Sequence, residues 1–141
     1  MYKVSKEFSV AMGHRLSLHQ GLCSNFHGHN YKIIVGIQCG MLNKNGMVMD
    51  FSDLKHIVNE KIIHYDHALM INIKDLPVAK KMQEVLPDLK LYIVPYEPTA
   101  ENMAKELYIF IKSKLPALVD MDYVTIYETD TSKATYMDDD Y

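Results

Sequence analysis

The sequence predicts an α+β domain in which an antiparallel sheet carries helices on one face. Two observations lead there: apolar residues alternate with period two near both ends of the chain, and two helical stripes lie between. The resulting order is β-β-α-(insert)-α-β-β. Consecutive strands with short connections favour antiparallel pairing, and the apolar stripe of a helix buries itself against such a sheet. The 141 residues suffice for one domain with its own core, and neither an internal repeat nor a linker divides residues 1–141.

From Tyr2 to His14 the even positions are mostly apolar while Lys3, Ser5, Glu7 and Ser9 are polar, which predicts a strand with its even face buried and His14 at the end of that face. Residues 15–26 are irregular and read as a loop. A second strand runs from about His27 to Cys39, with Tyr31, Ile33, Val35, Ile37 and Cys39 on one face. The Asn43–Gly46 run is a turn signal. A helix follows, with Ser52 as N-cap, Asp53 in its first turn and Leu54, Ile57, Val58 and Ile62 as its stripe. Pro77, Pro87, Pro95 and Pro98 interrupt the next segment, which admits a short helix near 78–86 and a short extended piece near 89–94. Thr99 then caps a helix with Glu101 in its first turn and Met103, Leu107, Phe110 and Ile111 buried; Pro116 ends it. Strands at about 121–129 and 133–137 complete the order, and Asp138-Asp139-Asp140 reads as a solvated tail.

Composition narrows the function. With 48% hydrophobic and 23% charged residues the chain is an ordinary globular one, and its methionines read as core fillers. A net charge of -3 lacks the basic face of a nucleic-acid binder. No stretch approaches the ~18 apolar residues of a membrane span, and residues 1–10 carry no signal-peptide core. Two cysteines are too few for a disulfide framework. The expected setting is the cytoplasm.

His27-Gly28-His29 is the most informative local feature, because residues two apart on a strand share a face and converge two imidazoles. Two histidines at a strand edge have the same spacing. If the first two strands form a hairpin, His14 reaches the mouth of the same sheet, and three neutral imidazoles without a fourth protein ligand describe a catalytic zinc site. A closed site with Cys23 as fourth ligand is the variant. In the loop before His27, Cys23 is also placed to act as a base or nucleophile, whereas Cys39 belongs to the core. Asp66-His67 is a carboxylate beside an imidazole, an arrangement suited to proton transfer and common in purely structural roles too. His19, His56 and His64 read as surface or packing residues. Glu128 shares a strand face with Val124 and Ile126, where a carboxylate needs hydrogen-bond donors such as a ligand's amidine-like edge; the opposite assignment, with Tyr123, Thr125 and Tyr127 inside, fits the alternation equally.

Phe8 through Leu16, Cys23 followed after three residues by His27-Gly28-His29, Asp50-Phe51, Asp66-His67, Pro98-Thr99-Ala100-Glu101-Asn102 and Tyr127-Glu128-Thr129 together resemble the 6-pyruvoyltetrahydropterin synthase and 6-carboxytetrahydropterin synthase family over nearly the whole chain. The resemblance implies the tunnelling fold, in which subunits join their sheets into a barrel and stack as a homohexamer, a dimer of trimers. It implies Zn2+ at His14, His27 and His29, and acid–base work by Cys23, Asp66 and His67, the last two reaching a neighbouring subunit's site. It makes Glu128 the anchor of the pterin's donor edge, with Thr99 and Glu101 lining the pocket. The three-residue gap after Cys23 resembles the bacterial carboxy branch, which implies conversion of 7,8-dihydroneopterin triphosphate to 6-carboxytetrahydropterin for queuosine and 7-deazaguanine synthesis. Formation of a pyruvoyl pterin by the same residues, and a zinc- or pterin-binding protein without chemistry, are the rivals. Residues 70–96 are longer than in the shortest members.

Overall fold

The two alternating segments at the N-terminus pair along their whole length in the computed structural model, which describes residues 1–139. Strand β1 (Tyr2–His14) lies antiparallel to β2 (His27–Cys39), from Tyr2 opposite Cys39 to His14 opposite His27. On the far side of β2 come β5 (Asp120–Thr129) and then β6 (Ser132–Tyr136), also antiparallel. Helices α1 (Phe51–Tyr65) and α3 (Ala100–Lys112) supply the expected stripes.

The proline-rich segment contains both pieces expected of it, α2 (Leu76–Val85) and β4 (Leu91–Val94), and in addition the short strand β3 (Leu69–Asn72). Strand β3 runs parallel to β1 at Gly13 and His14, and β4 parallel to β3, so the six-stranded sheet is mixed, in the order β4-β3-β1-β2-β5-β6. The α+β class is the one observed.

Phe8, Val10 and Met12 of β1, Tyr31, Ile33, Val35 and Ile37 of β2, and Val124 and Ile126 of β5 form one apolar face. Leu54, Val58 and Ile62 of α1 and Met103, Leu107 and Ile111 of α3 join it in a single core. Burying each such side chain stabilises the fold by about 1.5–3 kcal/mol. The methionines divide: Met12, Met70, Met103 and Met121 are core residues, whereas Met41 and Met47 are exposed.

Cap chemistry sets the helix starts. Asp50, not Ser52, is the N-cap of α1: its backbone is extended and its carboxylate accepts from the Ser52 N–H at 2.8 Å and the Ser52 hydroxyl at 2.7 Å. Thr99 caps α3 as expected, accepting from the Asn102 N–H at 3.2 Å. In the turn, the Asn43 side chain accepts from the Asn45 and Met47 N–H groups, and Gly46 adopts φ 77°. Of the acidic tail, Asp138 accepts from Lys112 at 3.3 Å and Asp139 is exposed, while Asp140 lies outside the described residues.

Candidate metal centre

Opposed residues of an antiparallel pair project to the same side of the sheet. Because β1 meets β2 with His14 opposite His27 and Met12 opposite His29, the hairpin register delivers all three imidazoles to one spot on the core face. Ring centroids lie 4.7 Å apart for His14 and His27, 4.9 Å for His27 and His29, and 5.3 Å for His14 and His29.

Two of the tautomers follow from their partners. His14 Nδ1 lies 2.6 Å from the Pro98 carbonyl and His27 Nδ1 lies 2.7 Å from the Asn25 carbonyl. A carbonyl only accepts, so both Nδ1 atoms carry a proton, and in a neutral ring the Nε2 atom then presents a lone pair. Outer hydrogen bonds of this kind orient metal-bound histidines. His14 is fully buried, and desolvation lowers its pKa despite the opposing influence of the Pro98 bond and Glu128, which keeps the ring neutral.

Glu128 completes the cluster. Val124 and Ile126 are fully buried, and Glu128 follows them on the same side of β5, its Oε1 3.0 Å from His29 Nε2 and 3.7 Å from His14 Nε2. The ligand atoms of His14, His27, His29 and Glu128 all lie within 4.8 Å of one another. His29 Nε2 is buried yet makes no aligned hydrogen bond, even to the carboxylate beside it. Lone pairs converging on one point, with one buried nitrogen unsatisfied, fit a divalent cation that accepts imidazole and carboxylate donors. Tyr31 closes the floor, its hydroxyl 3.3 Å from His14 Nε2; burial pushes its pKa far up and keeps it neutral.

The other expected site residues lie around this cluster. Cys23 is half-buried in a single 3-10 turn (Leu22–Ser24), its carbonyl accepting from the Leu16 N–H at 2.8 Å; the fourth group at the imidazoles is Glu128 rather than Cys23. Asp66 follows α1. One of its oxygens accepts from the Ala11 N–H at 2.9 Å and the other from His67 Nδ1–H at 2.9 Å. Both contacts hold its pKa below the usual carboxylate range, the Ala11 bond most of all. His67 has φ 60° and a side chain 79% exposed, so its Nε2 faces outward. It borders a cavity of about 370 Å³ lined by Gly13, Gly28, His29 and Ala68 among others, where the glycine pair leaves the sheet bare of side chains. Thr99 is half-buried and Glu101 exposed at the start of α3. His19, His56 and His64 are exposed.

Three supporting groups escaped the sequence reading. Arg15, the only arginine, grips Asp75 through Nε at 2.8 Å and Nη2 at 2.6 Å, and reaches the Ser24 carbonyl at 3.4 Å. Glu97 accepts from the Ser17 hydroxyl at 2.5 Å and the Leu18 N–H at 3.2 Å. The third group is the Pro98 carbonyl. The one available signal was the placement of Arg15 directly after His14.

Fold and cluster together define an α+β protein with a histidine-rich cluster, able to hold a metal ion, at the end of a β-hairpin. The chain belongs to the 6-pyruvoyl tetrahydropterin synthase family, which it matches over residues 3–139. It is 39% identical to the 6-carboxy-5,6,7,8-tetrahydropterin synthase of Haemophilus influenzae over 98% of its own length and 100% of the relative's. To the protein of that name from Aquifex aeolicus it is 32% identical, over 98% and 99%. Among solved structures, an uncharacterised protein from Wolinella succinogenes superposes with a TM-score of 0.80 at 26% identity, covering 96% of this chain and 97% of that one. The Caenorhabditis elegans 6-pyruvoyl tetrahydropterin synthase gives 0.69 at 26% identity, with 96% and 94% covered.

Proposed function

We propose that the protein is a zinc-dependent lyase that converts 7,8-dihydroneopterin triphosphate and one water to 6-carboxy-5,6,7,8-tetrahydropterin, releasing acetaldehyde and triphosphate. The observation that carries this is the convergence of three imidazoles, two with their Nε2 lone pairs fixed, in a chain that spans the full length of a named 6-carboxytetrahydropterin synthase. His14, His27 and His29 hold the ion, which when bound polarises the substrate's side-chain hydroxyls and acidifies the adjacent C–H bonds. The rest of the work falls to the chain. Cys23 moves a proton on one side of that side chain. His67, oriented by Asp66 through Nδ1, moves one at Nε2 on the other side. Its outward exposure suits service at a neighbouring subunit's site, and the sheet ends in β4 and β6, edges that can pair with further subunits in a homohexamer. Glu128 accepts from the bound pterin's donors, and Thr99 and Glu101 border its pocket.

The two unpaired cysteines suit a reducing cytoplasm, and no helix of the described residues is long and apolar enough to cross a membrane. The product feeds the synthesis of 7-deazaguanines such as queuosine. Zinc-loaded protein given 7,8-dihydroneopterin triphosphate should release one acetaldehyde per turnover, read as NADH loss with alcohol dehydrogenase. A pyruvoyl pterin by mass spectrometry, with triphosphate but no acetaldehyde, would transfer the function to the pyruvoyl branch. No turnover at all would leave a binding protein.

A further inference from the structure

Asp66 and His67 stand in the open, yet their backbone is held in a conformation that a side chain disfavours. The two side chains are 44% and 79% exposed, and His67 has φ 60°. A residue with a Cβ enters that region at a cost that its surroundings must offset. Ala11 of β1 makes two of the bonds that do so. Its N–H donates to the Asp66 carboxylate at 2.9 Å, and its carbonyl accepts from the His67 N–H at 2.6 Å.

Lys90 makes the others. Its Nζ donates to the Ile63 carbonyl at 2.7 Å and to the Asp66 carbonyl at 2.7 Å. The last carbonyls of a helix lack intrahelical donors and form the negative end of its dipole, so an ammonium there is both bonded and attracted. The Asp66 carbonyl and the His67 N–H belong to one peptide group. That group is therefore pinned at both ends, by Lys90 on its oxygen and by Ala11 on its nitrogen. A peptide plane pinned on both sides cannot turn to relieve the φ of the residue that follows.

Lys90 belongs to the segment 70–96, to which the proposed reaction assigns no part. Its main chain is fixed where β4 starts beside β3, the Leu69 N–H donating to the Lys90 carbonyl at 2.9 Å. Within β4, Tyr92 donates to Glu106 Oε1 at 2.8 Å, while Tyr65, the last residue of α1, donates to Glu106 Oε2 at 2.6 Å. The two rings meet edge to face at 5.1 Å. One carboxylate on α3 thus ties the strand behind Lys90 to the helix end that Lys90 grips.

We propose that Lys90 is a positioning residue that holds the Asp66–His67 peptide so that His67 keeps its outward aim, and that bracing this pair is what the segment 70–96 does. This rests on the reading of His67 as a proton-transfer residue. An exposed lysine that merely decorates a surface changes little when it is removed. This one should change the behaviour of a particular neighbour.

Lys90→Met keeps most of the side chain's length and removes its ammonium, whereas Lys90→Arg keeps a cation. Zinc-loaded wild type and both variants, each shown to be folded by far-UV circular dichroism, are compared by hydrogen exchange with mass spectrometry and by turnover of 7,8-dihydroneopterin triphosphate. In K90M, exchange in a peptide covering 62–70 should quicken by about tenfold or more, while peptides from β2 and from the middle of α3 keep the wild-type rate. Its kcat should fall about tenfold or more with KM little changed, and K90R should recover most of both. The same change is then made in a His67→Ala background, with the slow residual product followed by mass spectrometry. There K90M should lower kcat no further, because a residue that acts through another has no effect once that other is gone. Equal losses of kcat in the two backgrounds, or faster exchange spread evenly over all peptides, would make Lys90 a general stabiliser and overturn the proposal. Unchanged exchange in 62–70 would overturn it as well. Wild type without turnover would defeat the lyase reading instead, and the exchange measurement would still decide whether Lys90 holds the pair.

Discussion

Removing the Asp75 carboxylate should loosen the loop that carries Cys23 and cost the fold a measurable part of its stability. The Asp75 side chain is 9% exposed and receives both prongs of the Arg15 guanidinium, at 2.8 and 2.6 Å. Arg15 is 26% exposed, lies over the Phe26 ring at 5.4 Å and reaches the Ser24 carbonyl next to Cys23. Breaking a fully buried pair from one side costs about 3–5 kcal/mol, and a hydrogen bond to a charged group contributes about 1.5–3 kcal/mol. Water can reach a quarter of the Arg15 side chain and replace part of the loss, so D75A should cost about 2–3 kcal/mol. D75N, which keeps one acceptor, should cost about half of that. For a chain of this length each kcal/mol lowers Tm by roughly 3–4 °C. Urea unfolding at one fixed protein concentration is the assay, because assembly makes the midpoint concentration-dependent. Peptide mass spectrometry should show faster alkylation of Cys23 in both variants, with the buried Cys39 as internal control. A stability change within about 0.5 kcal/mol, or unchanged Cys23 alkylation, would show that the ion pair does not hold the loop.

If Cys23 moves a proton and does not bind the ion, Cys23→Ala should lose about 10²-fold or more in turnover while metal stoichiometry stays at the wild-type value; a parallel fall in bound zinc would make it a ligand instead. Asp66 has a folded pKa depressed by the Ala11 N–H and His67, so it stabilises the fold above the ordinary carboxylate pKa of about 3.9, and that contribution fades as pH falls through the depressed value. NMR titration should find the Asp66 carboxyl titrating below about 3.9, and Asp66→Asn should flatten the acid limb of the stability–pH curve; an unshifted titration would contradict the bonds described.

The parts of the fold legible in the sequence are those whose partners are near in the chain or whose faces repeat. The strands of the N-terminal hairpin alternate for 13 residues each, and their register follows from one connecting loop. Strand β3 was hidden because it has only four residues and pairs in parallel with the distant end of β1. At the start of α1 both Asp50 and Ser52 are good caps by residue type, and only the backbone decides between them. The site shows the same division. His27-Gly28-His29 shows its geometry directly, because the strand period is fixed. The Pro98 carbonyl that orients His14 lies 84 residues away and is a backbone group, which no residue pattern reveals. Asp75 is 60 residues from Arg15, within a stretch where prolines erase periodicity. Alternation left Glu128 with two possible faces, and contact with imidazoles on two other strands is beyond its reach.

The segment from Glu97 to Asn102 is better understood as a mechanical junction than as a pocket wall alone. Glu97 fixes Ser17 and Leu18, so it sets one end of the loop that carries Cys23. Pro98 donates no backbone hydrogen bond, but its carbonyl fixes the tautomer of His14 and so which nitrogen faces His27, His29 and Glu128. Thr99 and Asn102 then lock the segment to the start of α3, Asn102 by donating from Nδ2 to the Glu97 carbonyl at 2.9 Å. Three separate requirements therefore meet in consecutive residues: where Cys23 sits, how His14 points, and where a core helix begins. A change at Thr99 removes a cap worth about 1 kcal/mol, but it also frees the carbonyl beside it. Its effect on metal affinity should therefore exceed what the lost helix stability alone accounts for. The motif around Pro98-Thr99 is thus tied to chemistry through the orientation of one imidazole, whether or not its own side chains touch substrate.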